Sequence, residues 1–455
     1  MGRIVVAGAG IGGLGSALYL SRAGHGVTVV ERDATPLPGT AAEAFGWDRR
    51  GAPQVRHSHA FLARLRNQLL ADHPDVLDRL LEVGATEMDF ISMLPEGMDR
   101  MPMDGDDELV ALACRRTTFE WVLRRLVLDE GAVRILHGTA VDSLVADARP
   151  VGAVPRVSGV RLTDGSEVPC DAVVLAGGRR MDVPSLLADI GVDVAEHTED
   201  TGIVYLSRFY RLNEGEELPA QLGPIGGDLG YLKYGVFPGD DRTFSVTLAA
   251  DTADSEMRRL LAQESGFTVA AGALAPTSGH VDGRATPITG VEVMGGLINR
   301  RRDFLVDGSP VVTGVHALGD AHTATNPLYG RGCSLAMVQA SLLCEALTEP
   351  DATSAAVAYE QANLSEVLPW HRAAVAQDRL GRSADDVAHG IESTDSRHGG
   401  RHSGYRSERS ADGTTQDAQQ KDAQQKDAPH RDAPREDSTR SEFVRSMLRD
   451  GLLPA

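Results

Sequence analysis

The sequence predicts an α/β protein: a parallel sheet flanked by helices and assembled from segments far apart in the chain, a separate antiparallel sheet, and a C-terminal helix. Three observations carry that expectation. A short buried strand, a glycine-rich turn and an apolar helix follow one another in "RIVVAGAGIGGLGSALYL" from Arg3. The middle of the chain, up to about Ala250, alternates apolar and polar residues with period two. Near residue 315 the chain returns to a buried run, "SPVVTGVHALGDA", and then to the apolar helix "GCSLAMVQASLLCEALTE".

Taken in order, Arg3 to Ala7 reads as a strand, "GAGIGG" as a turn, Leu14 to Ala23 as a helix, and "GVTVVER" from Gly26 as a second strand ending at Glu31. Thr35 to Pro53 is rich in Pro and Gly and reads as loop. Helical spacing of apolar residues predicts helices from His59 to about Ala71 and from Asp75 to Val83. "TTFEWVLRRLVLDEG" is amphipathic, with Thr117 or Thr118 near its N-cap and Gly131 closing it. "VRIL", "TAVDSLVAD", "VSGVRLTDGSEV" and "DAVVLAG" read as strands, with "TDGS" a two-residue hairpin turn. "IVYLSRFYRL", "GYLKYGVFP" and "RTFSVTLAA" predict the antiparallel sheet, the helix "DSEMRRLLAQE" follows, and a last helical stretch spans about Ala355 to Leu380. Beyond Ser393 the repeat "QDAQQKDAQQKDAPHRDAPRED" has almost nothing to bury, so disorder is expected over 393–440. The segment 441–455, "FVRSMLRDGLLPA" from Phe443, reads equally as a terminal helix or a frayed end.

The 455 residues suffice for two or three compact units. A formal charge of -20 without a basic patch outside the tail argues against a nucleic-acid partner, because a polyanion would be repelled. Cys114, Cys170, Cys333 and Cys344 show no metal or disulfide spacing, which favours buried thiols in a reducing cytoplasm. The apolar N-terminus holds five glycines and no cleavage site, so it reads as strand, turn and helix, and no membrane span is expected.

"GAGIGG" fits G-x-G-x-x-G through Gly8, Gly10 and Gly13, with Ile11 and Gly12 at the helix start. It follows a strand, opens a helix, and is answered by Glu31 at the end of the next strand, with Arg32 beside it. The first glycine permits the turn, the second lets the backbone approach a pyrophosphate, and the third lets helix pack on strand. Glu31 is expected to accept hydrogen bonds from adenosine ribose hydroxyls. A Rossmann-like dinucleotide site is the reading.

The return at "VHALGDAHTATNPLYGRGCSLAMVQA" resembles the flavin-contacting segment of the FAD-dependent aromatic hydroxylase and epoxidase superfamily, whose pattern is G-D-A, then P, then G-x-G and an apolar helix. The resemblance implies a p-hydroxybenzoate hydroxylase-like fold: a Rossmann-like FAD-binding domain of discontinuous segments, 1–180 and 285–350, with an antiparallel-sheet substrate domain. That second domain is expected at 181–284 with contributions from about 60–112, followed by a helical segment over 351–392. Gly319, Asp320, Pro327, Gly330, Gly332 and Cys333 are implied FAD contacts: the Asp320 carboxylate for ribityl hydroxyls, and backbone N–H groups from Gly330 to Cys333 for the negative edge of a reduced flavin. "CRRTTFEWVLRR" is similar to the family's arginine-led helix and implies Arg116; "TAVDSL" implies Val141 beside adenine. "GAPQVRHSHAFLARLR" resembles the Q-x-R-H-x-H segment of an actinobacterial, epoxidase-like branch and implies Arg56. His57 and His59 have no third ligand in the sequence, so metal is not expected.

The family chemistry would use NADH or NADPH as electron donor and O2 as co-substrate, passing one oxygen from a flavin C4a-hydroperoxide to a small or polyketide-like molecule by hydroxylation or epoxidation. Substrate-side candidates are Tyr205, Phe209, Tyr231, Tyr234, Phe237, Tyr329 and Arg331, and no residue is assigned as catalytic. Gly177 and Gly178 stand where many hydroxylases carry Asp-Gly, which leaves direct NAD(P)H binding open and keeps a version with a separate flavin reductase partner alive. The G-x-W-x-x-I signature of flavin halogenases is missing from the first domain. A reductase or dehydrogenase of the geranylgeranyl-reductase type, and a flavin-bearing scaffold using the repeat tail, are the alternatives.

Overall fold

The computed structural model describes residues 1–94, 100–220 and 225–388. The expectations for 393–440 and 441–455 therefore lie outside the described residues.

A five-stranded, all-parallel sheet runs in the order Val315–Ala317, Ala172–Leu175, Arg3–Ala7, Gly26–Glu31, Val133–His137. Alternation along the central strand serves two cores. Ile4 and Val6 join Leu14, Leu18, Phe119 and Met337 on one face, while Val5 and Ala7 join Leu144, Val160, Leu175 and Val312 on the other. The helices Ile11–Arg22, Arg116–Asp129 and Gly332–Ala346 cover the first face. Both Ile11–Arg22 and Gly332–Ala346 start without a side-chain cap.

In the antiparallel sheet, Ile203–Leu212 pairs with Thr243–Asp251, which pairs in turn with Lys233–Pro238. Parity again divides the faces. Val204, Leu206, Val246 and Leu248 pack on helices Ser255–Leu261 and Glu264–Ala273 through Leu261, Phe267 and Ala271, leaving Tyr205, Ser207, Thr247 and Ala249 on the opposite face. The hairpin between Lys233–Pro238 and Thr243–Asp251 turns through Asp241 and Arg242, both left-handed at φ 54° and 55°.

Several local expectations are corrected. The helix predicted from His59 starts at Ala63, because Phe61 is held in a β-bridge to Leu112. Neither Thr117 nor Thr118 caps the helix Arg116–Asp129; Thr118 Oγ1 instead donates to Asp240 at 2.7 Å. The "TDGS" turn has three loop residues, closed by Leu162 N–H to Ser166 O at 2.8 Å and Gly165 N–H to Leu162 O at 2.9 Å, with only Gly165 left-handed. Helix Glu264–Ala273 was not legible as separate from the segment before it. The last helical stretch is two helices, Ala352–Glu366 and Leu368–Ala388, divided just before Pro369, which cannot donate a helical hydrogen bond.

Candidate functional site

The glycine turn is built by contacts that exclude side chains. A Cβ on Gly13 would lie 1.9 Å from Gly8 O, and one on Gly8, where φ is +112°, would lie 2.7 Å from Ala176 O. A Cβ on Gly10 would meet nothing within 4 Å, because that position opens into a cavity. The cavity measures about 980 Å³, at the upper end of the roughly 300–1,000 Å³ typical of small-molecule sites. Its lining joins the turn Gly8–Gly12, Glu31, Arg32, Arg116 and Val141 to Gly319, Asp320, Pro327, Gly330, Gly332 and Cys333. The N-termini of two helices some 320 residues apart in sequence thus open on one space. Their first-turn N–H groups have no intrahelical acceptor, and no side chain caps either helix. Such a pair of termini suits a ligand with negative charge at two separated places.

One wall is a buried ionic chain. Glu31 accepts from Ala9 N–H at 3.0 Å and Asp33 N–H at 2.9 Å, and lies 3.5 Å from both Arg49 and Arg124. Arg49 also reaches Asp33 at 3.1 Å and Glu120 at 3.2 Å, and Trp47 carries the Arg49 and Arg124 guanidinium groups at 4.8 and 5.0 Å from its ring centroid. Arg116 donates to Glu120 at 2.9 Å, to His59 Nε2 at 3.0 Å and to Cys333 Sγ at 3.7 Å. The His59 Nδ1–H donates to His57 O at 2.9 Å, which fixes its tautomer, and burial together with Arg116 holds its pKa well below the usual imidazole value.

A second wall is the loop before helix Gly332–Ala346. Asp378, from the last helix, accepts from Tyr329 O–H and Asn326 Nδ2 at 2.7 Å each and from Asn299 Nδ2 at 2.6 Å. Tyr205 O–H donates to Asn326 Oδ1 at 2.9 Å, so the loop is tied to the antiparallel sheet as well. Arg300 Nη2 donates to Asp320 O at 2.9 Å and Arg179 O at 3.0 Å. The turn Gly178–Arg180 lies at the cavity, and a Cβ on Gly177 would sit 2.9 Å from Met181 Sδ.

Most of the residues singled out in the sequence meet at this cavity, and five do not line it. Arg56 is not in the lining: its side chain is 60% exposed and lies 3.8 Å from Glu292 and 3.9 Å from Asp48. Arg49, seven positions earlier, is the arginine that turns inward. Phe209 packs against Phe45 with ring centroids 5.5 Å apart, beyond the lining. Tyr231 is exposed and precedes its strand. Arg331 is buried between the Tyr329 and Trp370 rings, at 5.0 and 5.1 Å from their centroids, rather than facing the cavity. Gly13 is a packing residue behind the lining. Tyr205, Tyr234, Phe237 and Tyr329 do line the space, together with His57, Ser58, Ser207 and Thr247, which the sequence did not single out as substrate-facing.

Comparison with known proteins fits this geometry. Residues 3–97 match the family model described as FAD dependent oxidoreductase. The structure is similar to PqsL of Pseudomonas aeruginosa, a probable FAD-dependent monooxygenase, with a TM-score of 0.60 at 20% identity over 86% of this chain and 98% of that one. It is also similar to OxyS anhydrotetracycline hydroxylase from Streptomyces rimosus, with a TM-score of 0.56 at 21% identity over 86% and 71%. The fold is that of the FAD-dependent monooxygenases. The flavin-dependent brominase Bmp2 shares it as well, with a TM-score of 0.59 at 15% identity over 86% of this chain and 91% of that one, so this flavin-monooxygenase fold alone does not choose the reaction. Among the described residues no helix is long and apolar enough to cross a membrane.

Proposed function

We propose that the chain is an FAD-dependent monooxygenase that hydroxylates or epoxidises a small, largely apolar organic molecule with O2, using NADH or NADPH as electron donor. The observation that carries this reading is the single cavity onto which both uncapped helix N-termini and the aromatic face of the antiparallel sheet open. The residues present suit FAD. The Gly8–Gly12 turn would hold the pyrophosphate, Glu31 the adenosine ribose, Val141 the adenine, Asp320 the ribityl chain, and the N–H groups of Gly332 and Cys333 the pyrimidine edge. FAD, when bound, supplies the electron transfer and the activation of dioxygen.

The chain's own part is binding, orientation and dryness. Tyr205, Phe237, Leu297 and Leu328 line the sheet side with apolar surface, which excludes the water that would divert oxygen to hydrogen peroxide. Asp378 and Asn326 hold the loop that carries Pro327 and Tyr329 in one conformation. Oxygenation is preferred over halogenation because the halogenase tryptophan signature is missing from the first domain.

The purified protein tests this directly. A yellow preparation that NADH or NADPH bleaches anaerobically, and that places 18O from 18O2 into a product, supports it. Bleaching that needs an added flavin reductase moves the reading to the two-component version. Deuterium in the product without 18O replaces it with the reductase alternative, and a colourless protein that takes up no FAD removes it.

A further inference from the structure

On the cavity face of the antiparallel sheet the register places three rows side by side: Phe237, Ser245 and Phe209, then Gly235, Thr247, Ser207 and Glu292, then Lys233, Ala249, Tyr205 and Met294. The middle row is polar within a wall that also carries Tyr205, Phe237 and Met294. Its hydroxyls form a chain with the loop above them. His57 Nδ1 lies 3.2 Å from Ser207 Oγ, Ser207 Oγ lies 2.7 Å from Thr247 Oγ1, and Thr247 Oγ1 lies 2.6 Å from Ser58 Oγ. Ser58 in turn donates to Ser245 Oγ at 2.7 Å.

Each hydroxyl has one proton to donate, so the last bond fixes all the others. Ser58 spends its proton on Ser245 and must accept from Thr247. Thr247 must then accept from Ser207, and Ser207 from the Nδ1–H of His57. Burial pushes the His57 pKa down to about 4, so the ring is neutral at pH 7 and carries that single N–H. Its Nε2 is left as a bare lone pair on a residue that lines the cavity, and among the described residues no hydrogen bond takes it up. The Lys233 ammonium at the same wall is paired with Asp228 at 2.7 Å.

We infer that His57 Nε2 is a substrate-recognition acceptor, and that the substrate is a largely apolar molecule carrying a hydrogen-bond donor, such as a hydroxyl group, that donates to it. A carbonyl or carboxylate in the same place would set lone pair against lone pair, so the chain of hydroxyls, by holding the tautomer, selects donors over acceptors. Ser207 is a positioning residue in this scheme: it never meets the substrate but decides which imidazole nitrogen is bare. The inference rests on the monooxygenase reading only in taking this wall as the substrate side.

Calorimetric titration of the flavin-loaded protein with 2-naphthol, 2-methoxynaphthalene and 2-acetonaphthone tests it without turnover. The expected result is 2-naphthol bound at least about tenfold more tightly than the other two. In His57→Phe that preference is lost and flavin affinity is kept. In Ser207→Ala the ring is free to change tautomer, so the preference narrows through a gain by 2-acetonaphthone, and this conservative variant carries the test if His57→Phe does not fold. Equal binding of the three probes, binding of none, a preference that survives in His57→Phe, or a loss of flavin affinity in that variant each overturns the assignment. The naphthol preference is read separately from flavin bleaching and 18O incorporation, so failure of the monooxygenase reading and failure of this one are distinguishable.

Discussion

Arg115 holds Asp240 across the boundary between the parallel-sheet layer and the antiparallel sheet: its backbone N–H and its Nε donate to Oδ1 at 2.8 and 3.0 Å, and its Nη2 donates to Oδ2 at 2.5 Å. Both side chains are almost wholly buried, at 2% and 1% exposure. Asp240 also closes the tight turn at Asp241 and Arg242, through Thr243 N–H to Asp240 O at 3.1 Å. The aromatic sheet is therefore registered on the helix that carries Arg116.

Removing one partner of such a pair strands a buried charge. Asp240→Ala is expected to destabilise the protein by about 3–5 kcal/mol, read as a lower urea midpoint. A change under about 1 kcal/mol would mean that Arg115 finds another anion or water.

Gly10 and Gly13 separate cofactor approach from folding. Gly13→Ala drives a Cβ into Gly8 O, so both stability and flavin content are expected to fall. Gly10→Ala meets nothing in the chain, so it should melt with the parent as apoprotein yet take up far less flavin. Equal flavin content in Gly10→Ala and the parent would place the pyrophosphate elsewhere.

Asp320 has a half-buried side chain whose nearest cation, Arg179, is 3.7 Å away, so it holds little of the fold together. Asp320→Ala is predicted to weaken FAD binding by about tenfold or more, roughly 1.4 kcal/mol. Apoprotein stability should stay within about 0.5 kcal/mol of the parent. Flavin fluorescence quenching and a urea titration measure the two effects, and unchanged FAD affinity would detach Asp320 from the site.

Acid should loosen the fold through its buried imidazoles. Burial pushes the His316 pKa from 6.5 to about 4, with its ring set edge-on to Tyr359 at 5.5 Å. The unfolded chain takes up the proton first as pH falls, so this contribution is complete above about pH 6.5 and is lost on the way down to about pH 4. The slope from one such group is at most about 1.4 kcal/mol per pH unit. Urea midpoints at pH 7, 6 and 5 are expected to fall less steeply for His316→Gln than for the parent; parallel falls would exclude the group.

The sequence disclosed what local chemistry dictates. A turn that excludes Cβ atoms must be written with Gly8 and Gly13, and an acidic residue ending the next strand belongs to the same dinucleotide motif, so Glu31 was legible. The meeting of Asp320 with that turn was legible from a family pattern, since no local rule brings residues so distant together. Arg49 was missed because "DRRGAPQVR" offers several arginines of equal appearance; Trp47, Glu120 and Ala9 O, scattered along the chain, choose the one that is buried. Parity along Ile203–Leu212 groups Tyr205, Ser207 and Phe209 but not where the cavity ends, and Phe45 closes it before Phe209. The hydroxyl chain was invisible because Ser58, Ser207, Ser245 and Thr247 are unremarkable until the sheet sets them side by side.

The strand Val315–Ala317 completes the parallel sheet against Ala172–Leu175, yet 140 residues separate Leu175 from Val315. During synthesis, at about 5–20 residues per second, that edge waits for many seconds with its hydrogen-bonding groups unpaired. Only when the late strand docks do Asp320 and the second helix terminus arrive, so flavin capture is a closing event of biogenesis, and a nascent chain halted before that strand offers the dinucleotide half a berth.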